Sequence, residues 1–175
     1  MPTASKVIVK TRRLVIREMG EQDAAFILFL LTQPSFLKYI GDRGVRDLES
    51  ARLYIRDVRL QYQINGCGSY LVERKNDGVP VGISGLIRRK DLPHPDIGFA
   101  YDPAYWRQGF AFEGASALLS HARDRLGFET VIAVTSDQNT ASQALLEKLG
   151  MRFQGRVRLG PKGEETRLYG PAHRE

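Results

Sequence analysis

Two short β-branched stretches open the chain, Val7-Ile8-Val9-Lys10 and Leu14-Val15-Ile16-Arg17-Glu18, with polar Thr11-Arg12-Arg13 between them. Gly20-Glu21-Gln22-Asp23 leads into an apolar run, Ala24 to Leu31, and acidic residues in that place favour a helix start. Leu48, Ala51, Ile55, Val58 and Tyr62 then recur every three or four residues, the period of a helix with one buried face. Asp47 is placed to cap that helix and Asn65-Gly66-Cys67-Gly68 to end it. The middle reads as β: residues 69–73 and 79–88 flank Lys75-Asn76-Asp77-Gly78, whose Asp-Gly suits a tight hairpin turn. After the break Asp91-Leu92-Pro93-His94-Pro95 comes another strand, Asp96 to Tyr101.

Beyond it the texture alternates. A turn, Asp102 to Gln108, precedes a helix with Phe112, Ala115, Leu118, Leu119, Ala122 and Leu126 on one face. Thr130 to Thr135 reads as a buried strand, and Asn139 to Leu149 as a short helix stopped by Gly150. The tail, Met151 to about Tyr169, reads as two strands around Gly160-Pro161-Lys162-Gly163. The pattern predicts a mixed α/β (α+β) domain with a largely antiparallel sheet.

Composition narrows the class. No repeat, linker or biased tract divides the chain, so residues 1–175 read as one domain, long enough for a sizeable core. A 42% hydrophobic fraction excludes a disordered chain. A lone cysteine, Cys67, excludes an internal disulfide framework and a cysteine-cluster zinc site, and no metal is expected. The longest apolar run is shorter than the roughly 20 residues a bilayer requires. The start, MPTASKVIVK, lacks the apolar core of a signal peptide. A soluble cytoplasmic protein with no membrane partner is the expectation. The net charge of +6 fits a nucleic acid, a phosphorylated ligand, an acidic protein surface or merely spare arginines.

The chemistry concentrates between Asp96 and Met151. A strand runs through Asp102-Pro103 into Tyr105-Trp106-Arg107-Gln108-Gly109-Phe110-Ala111, and a helix follows at once. A helix N-terminus after a small-residue turn is an anion site, because its first N–H groups lack intrahelical partners and the macrodipole adds positive charge. Gly109 permits close approach of a phosphate, and Ala111 keeps the second approach point small. Asn139 begins the later helix as its N-cap, with Ser142 in the first turn.

Together these two elements resemble the GNAT family of acyl-CoA-dependent N-acyltransferases. The glycine loop is similar to the family's Q/R-x-x-G-x-G/A motif, and Asn139-Thr140-Ala141-Ser142 through Gly150-Met151 to its N-x-x-S/A-x-x-L-x-x-x-x-G-F motif. Thr11-Arg12-Arg13-Leu14-Val15-Ile16-Arg17, with D-P-x-Y-W before the loop, looks like the RimJ/RimL branch of ribosomal-protein N-terminal acetyltransferases. Trp106 stands where the motif wants Gln or Arg, and Met151 replaces the usual Phe, a swap that conserves volume. The resemblance implies a GNAT fold whose mostly antiparallel sheet, with about four flanking helices, splays to admit the cofactor. It implies acetyl-CoA as co-substrate, although the residues do not separate acetyl from a slightly longer acyl group. Its implied contacts are the backbone of Phe99, Ala100 and Tyr101 along the pantetheine, and the amides of Arg107, Gln108, Gly109, Phe110 and Ala111 around the pyrophosphate. Asn139 is implied on the cofactor arm, and Ser142 near the thioester sulfur.

The implied reaction is direct attack of an amine, a protein N-terminus or a small molecule, on the thioester. An α-amino group with a pKa near 8 is already roughly a tenth neutral at pH 7, whereas lysine is neutral in about one molecule in a few thousand. Asp96 and Ser142 are the catalytic candidates, as base and as proton donor to the thiolate. Glu73, His94 and Tyr169 stand behind them, and Cys67 has no recognisable histidine partner. The acceptor pocket falls to the first two helices, their connecting loop (33–46) and the tail, with Phe36, Tyr39 and Tyr54 as candidate walls. Arg43, Arg46, Arg156 and Arg158 are candidates for selecting an acidic acceptor. The alternatives are a catalytically silent acyl-CoA sensor or scaffold and a nucleic-acid binder. Dispersed arginines without a recognition helix argue against specific nucleic-acid binding. A monomer or homodimer is expected.

Overall fold

A computed structural model describes residues 5–172; Met1 to Ala4, the start of the segment weighed as a leader, lie outside them. The two opening stretches form β1 (Val7–Lys10) and β2 (Leu14–Arg17), which pair antiparallel. β3 (Ser69–Arg74), β4 (Pro80–Ile87) and β5 (Asp96–Tyr101) extend them into an antiparallel sheet in the order β1-β2-β3-β4-β5. A second antiparallel sheet, β6-β8-β7, is built from Ala133–Thr135, Glu164–Pro171 and Met151–Leu159.

Helices cover both faces of the first sheet. On one side α1 (Ala24–Leu31), α2 (Pro34–Tyr39) and α3 (Leu48–Asn65) pack Ile27, Leu30, Phe36 and Ile55 against Leu71 and Ile83 of the sheet. On the other, α4 (Phe110–Asp124) buries Phe110, Ala115, Leu118 and Ala122 against Leu14, Ile16 and Val72. α5 (Thr140–Lys148) joins this second core through Leu146. Local signals behave as their chemistry requires: Asp47 accepts the Ser50 amide at 2.8 Å to start α3, and Gly66 ends it in the left-handed conformation.

Three expectations change. The stretch between the first two predicted helices contains α2, because extended Gln33 followed by Pro34 at the first helical position starts one, so the described residues hold five α-helices where about four are expected. The buried face of α4 is centred on Phe110, Gly114 and Ala115, so Phe112 is left half-buried, and the helix ends before Leu126. The strand read from Thr130 shortens to Ala133–Thr135.

That shortening has a geometric cause. β5 and β6 run parallel and touch only at their beginnings, where Ile97 donates its amide to Ile132 at 2.8 Å and Ile132 donates to Pro95 at 3.0 Å. Past this bridge the strands part, β6 joining β8 while β5 stays with β4. The sheet is therefore splayed along one edge of β5.

Candidate active site

The open edge can be read residue by residue. Asp102 donates its amide to Val81 of β4, and Ile97 donates in the opposite direction to Ile132. Strand backbone alternates, so the even residues of β5 serve β4 and the odd ones face the splay. Phe99 and Tyr101 thus turn backbone groups into the gap. Ala100, expected to pair there as well, has its amide directed to β4, and contributes only to the wall.

Beyond the strand, Asp102 accepts the amide of Ala104 at 3.0 Å and holds a single 3-10 turn, Pro103–Tyr105. Trp106 folds its indole back and donates to the Tyr101 carbonyl at 2.8 Å. This is a structural use for the residue that departs from the motif. Arg107 and Gly109 both take left-handed backbone, with φ of 60° and 80°. Arg107 is the only non-glycine among the described residues to do so, a strain of about 1–3 kcal/mol that clusters at functional loops. Gly109 is the N-cap of α4 and has no side chain to cap it, so the first-turn amides of Phe110, Ala111 and Phe112 remain without acceptors.

Arg13, for which the sequence pattern alone suggests no contact, braces this loop. Its Nη1 donates to the Gln108 carbonyl at 2.9 Å, its Nε to Glu113 Oε2 at 2.7 Å, and its guanidinium lies 4.5 Å over the Phe110 ring. Thr11 and the Arg13 amide both donate to Glu113 Oε1, at 2.6 and 2.9 Å. Burial raises the Glu113 pKa, but the hydrogen bonds from Thr11 and Arg13 outweigh it and hold the carboxyl below its usual range. The signal was present in Thr11-Arg12-Arg13, yet its partner stands 100 residues away.

A cavity of about 470 Å3 opens against these elements. It is lined by Phe99, Ala100 and Tyr101 of β5, by Arg107, Gly109, Phe110 and Ala111 of the loop, and by Asn139 and Ser142 of α5. Gln108 does not reach it, because its carbonyl turns to Arg13 and its side chain donates to Ala104. Asn139 Oδ1 accepts the Ser142 amide at 3.2 Å, which fixes the start of α5 where it lines the cavity. Lys148, 4.4 Å over the Phe112 ring, adds a second cation to Arg107.

A second cavity of about 490 Å3 lies between α3 and the sheet. The two share Phe36, Ile40, Phe99 and Ala100, so β5 and α2 form the wall between them. Phe36 and Tyr39 wall the first and Phe36 and Tyr54 the second, as candidates for lining.

The base candidates fare differently. Asp96 is buried at the closed end of the splay, where Arg89 Nε donates to it at 2.9 Å, and it lines neither cavity. Burial raises its pKa against the lowering effect of Arg89. The structure therefore separates Asp96 from Ser142 and withdraws it as a direct base. Glu73 is tied to Arg17 at 3.0 Å, His94 is exposed, and Tyr169 is fully buried in the second sheet. Arg156 and Arg158 pair with Asp137 and Glu165 on that sheet, and Arg46 with Asp42, all away from both cavities. Cys67 is buried and burial pushes its thiol up, the state of an inert residue. No carboxylate or imidazole among the described residues lines either cavity.

A splayed strand edge beside uncapped helix amides suits an extended ligand with an anionic end, and comparison identifies the family. The acetyltransferase (GNAT) domain matches residues 13–152, and the chain belongs to that family. Its enzymatic class is acetyltransferase. The N-acetyltransferase YoaA of Bacillus subtilis is 29% identical over 153 residues, 86% of each chain. A GNAT-family acetyltransferase from Bacillus anthracis superposes with a TM-score of 0.77 at 25% identity, over 93% of this chain and 96% of that one. RimL, a ribosomal L7/L12 alpha-N-protein acetyltransferase solved in complex with coenzyme A, has the same fold with a TM-score of 0.80. It is 18% identical, over 94% of this chain and 97% of its own.

Proposed function

We propose that the chain is a single-domain, acetyl-CoA-dependent N-acetyltransferase of the RimJ/RimL type that modifies a protein N-terminus or a small amine of low pKa. The observation that carries this reading is the continuity of open donors along the first cavity. They run from the β5 edge at Phe99 and Tyr101 to the uncapped amides of α4. The Thr11-Arg12-Arg13-Leu14 opening and the likeness to RimL support the branch.

Acetyl-CoA, when bound, supplies an activated acyl carbon and a thiolate leaving group. The loop amides of Gly109 to Ala111, with Arg107, hold phosphate charge at the helix terminus. A strand N–H of Phe99 or Tyr101 polarises the acyl oxygen, a fixed dipole that needs no reorganisation. Asn139 would orient the cofactor arm, and Ser142 would pass its hydroxyl proton to the leaving sulfur and take one back from the amine nitrogen, which gives up its proton as the amide forms. The acceptor enters from the second cavity and meets the first at Phe99 and Ala100. Since no carboxylate or imidazole reaches the junction, the amine must arrive neutral. That selects α-amino groups over lysines.

Thiol release from acetyl-CoA, measured across a panel of N-terminal peptides and small amines, tests the reading. Saturable turnover with an α-amine is expected. Saturable acetyl-CoA binding without turnover, unchanged by Ser142→Ala, would instead identify a silent sensor or scaffold.

A further inference from the structure

The wall of the second cavity is strongly one-signed. Arg43, from the segment between α2 and α3, and Arg88, Arg89 and Lys90, from the β4–β5 connection, line it without one carboxylate among the lining residues. Two of these cations are anchored. The Arg88 guanidinium stacks 4.9 Å over the Phe128 ring, and Arg89 is held by buried Asp96. The other two, Arg43 and Lys90, are exposed and make no ion pair among the described residues. The nearby carboxylate Asp42 is already taken by Arg46.

Like charges gathered in a cleft repel, and their field is focused by the low-dielectric walls. Such a cluster gains most from an anion that bridges it, and charge-assisted contacts to anchored guanidiniums cost little ordering. The anion is not the phosphate of the donor, because the loop that suits phosphate lies across β5 in the other cavity.

We propose that the second cavity selects a primary amine that carries carboxylates within a few atoms of its nitrogen. Arg43, Arg88, Arg89 and Lys90 receive those carboxylates. This rests on the transferase reading above and names its acceptor class. The same chemistry is offered by an acidic peptide N-terminus and by a small amino-dicarboxylate.

Turnover on matched acceptors tests it. One arm compares short peptides that begin with Asp or Glu against the same peptides that begin with Asn or Gln. The other compares amino-dicarboxylates with their diamides. The acidic member of either pair is expected to show kcat/KM about tenfold higher, and this advantage should shrink as salt rises. The arm with the larger ratio identifies the source. Arg43→Glu and Lys90→Glu, both at exposed loop positions, should collapse the acidic-to-neutral ratio towards one while acetyl-CoA affinity stays within about twofold. Equal turnover of acidic and neutral partners overturns the inference and leaves the transferase reading intact. An absence of turnover with every acceptor overturns both.

Discussion

The two cavities that flank β5 are nearly equal in volume and share a wall, yet they are built from different materials. The first is largely a backbone construction: an unpaired strand edge, a loop with two left-handed residues and two helix starts. The second is a side-chain construction, its cations contributed by two separate connections. Backbone donors present the same chemistry whatever side chains surround them, so the first site suits an invariant ligand such as a cofactor. Side chains can be exchanged without disturbing the fold, so the second suits the partner that differs between relatives. The division also explains the missing base. A site that relies on backbone dipoles polarises an acyl oxygen well but has nothing to remove a proton with.

The largest effect expected from this difference lies in the acceptor. With no base at the junction, the rate should follow the neutral fraction of the amine. At pH 7 an α-amine should outpace a matched lysine side chain by roughly two hundredfold, the ratio of their neutral fractions. The α-amine rate should level off above a pH of about 8. Equal rates for the two amines at neutral pH would mean that a group outside both cavities acts as base, and the comparison would break.

Next in size is Gly109→Val. Its φ of 80° disfavours any β-branched residue, and a Cβ there would stand 3.2 Å from Arg13 Nη2. The sequence alone suggests that valine would block the phosphate approach. The structure adds that it presses on the brace that holds the loop. Acetyl-CoA affinity should fall by about tenfold or more, with a melting temperature lowered by a few degrees. Unchanged affinity by calorimetry would remove the loop from the first cavity's function.

The same contrast governs what could be read from the chain. Asp47, Gly66 and Gly150 announce their helix ends because a cap acts on neighbours three or four residues away. The loop at Arg107–Ala111 and the start at Asn139–Ser142 are contiguous for the same reason, and most of the first cavity was legible. Gln108 is the gap in that run: it is absent from the cavity lining, and its carbonyl turns to Arg13, a partner from the far end of the chain. The second cavity was largely illegible. Arg43 was marked as a candidate, but Arg88, Arg89 and Lys90 look like any solvated run until β4 and β5 bring them opposite α3. Tyr169 and Arg156 drew suspicion from their place in the tail, which proves to be the ladder of a second sheet. Asp96 was credited as a base from its place at the head of the splayed strand, where a buried ion pair claims it.

A smaller effect belongs to the brace itself. The Glu113 carboxyl is held below its ordinary value of 4.5, so its stabilising contribution is present above that value and is lost as pH falls through the folded one. Glu113→Gln should lower the melting temperature by a few degrees at pH 7. The gap to the wild type should narrow as the pH is taken well below 4.5, because the wild type then loses its charge too. A gap that stays constant with pH in thermal scans would show that the contacts act through shape alone.

The smallest effect tests the core behind the first cavity. The Tyr101 hydroxyl is fully buried with no hydrogen-bond partner among the described residues, and burial drives its pKa up. It lies against α4, where a Cβ on Gly114 would come within 2.6 Å of it. Glycine at that helical position is thus the space the hydroxyl occupies. A buried hydroxyl without a partner costs about 1–3 kcal/mol, and phenylalanine fills the same ring volume. Tyr101→Phe should therefore leave stability unchanged or raise it by about 1 kcal/mol, read as a small upward shift of the denaturation midpoint at constant slope. A loss of stability would mean that a buried water satisfies the hydroxyl between β5 and α4. That water would sit in the core between the sheet and α4, behind the first cavity and not in the wall it shares with the second.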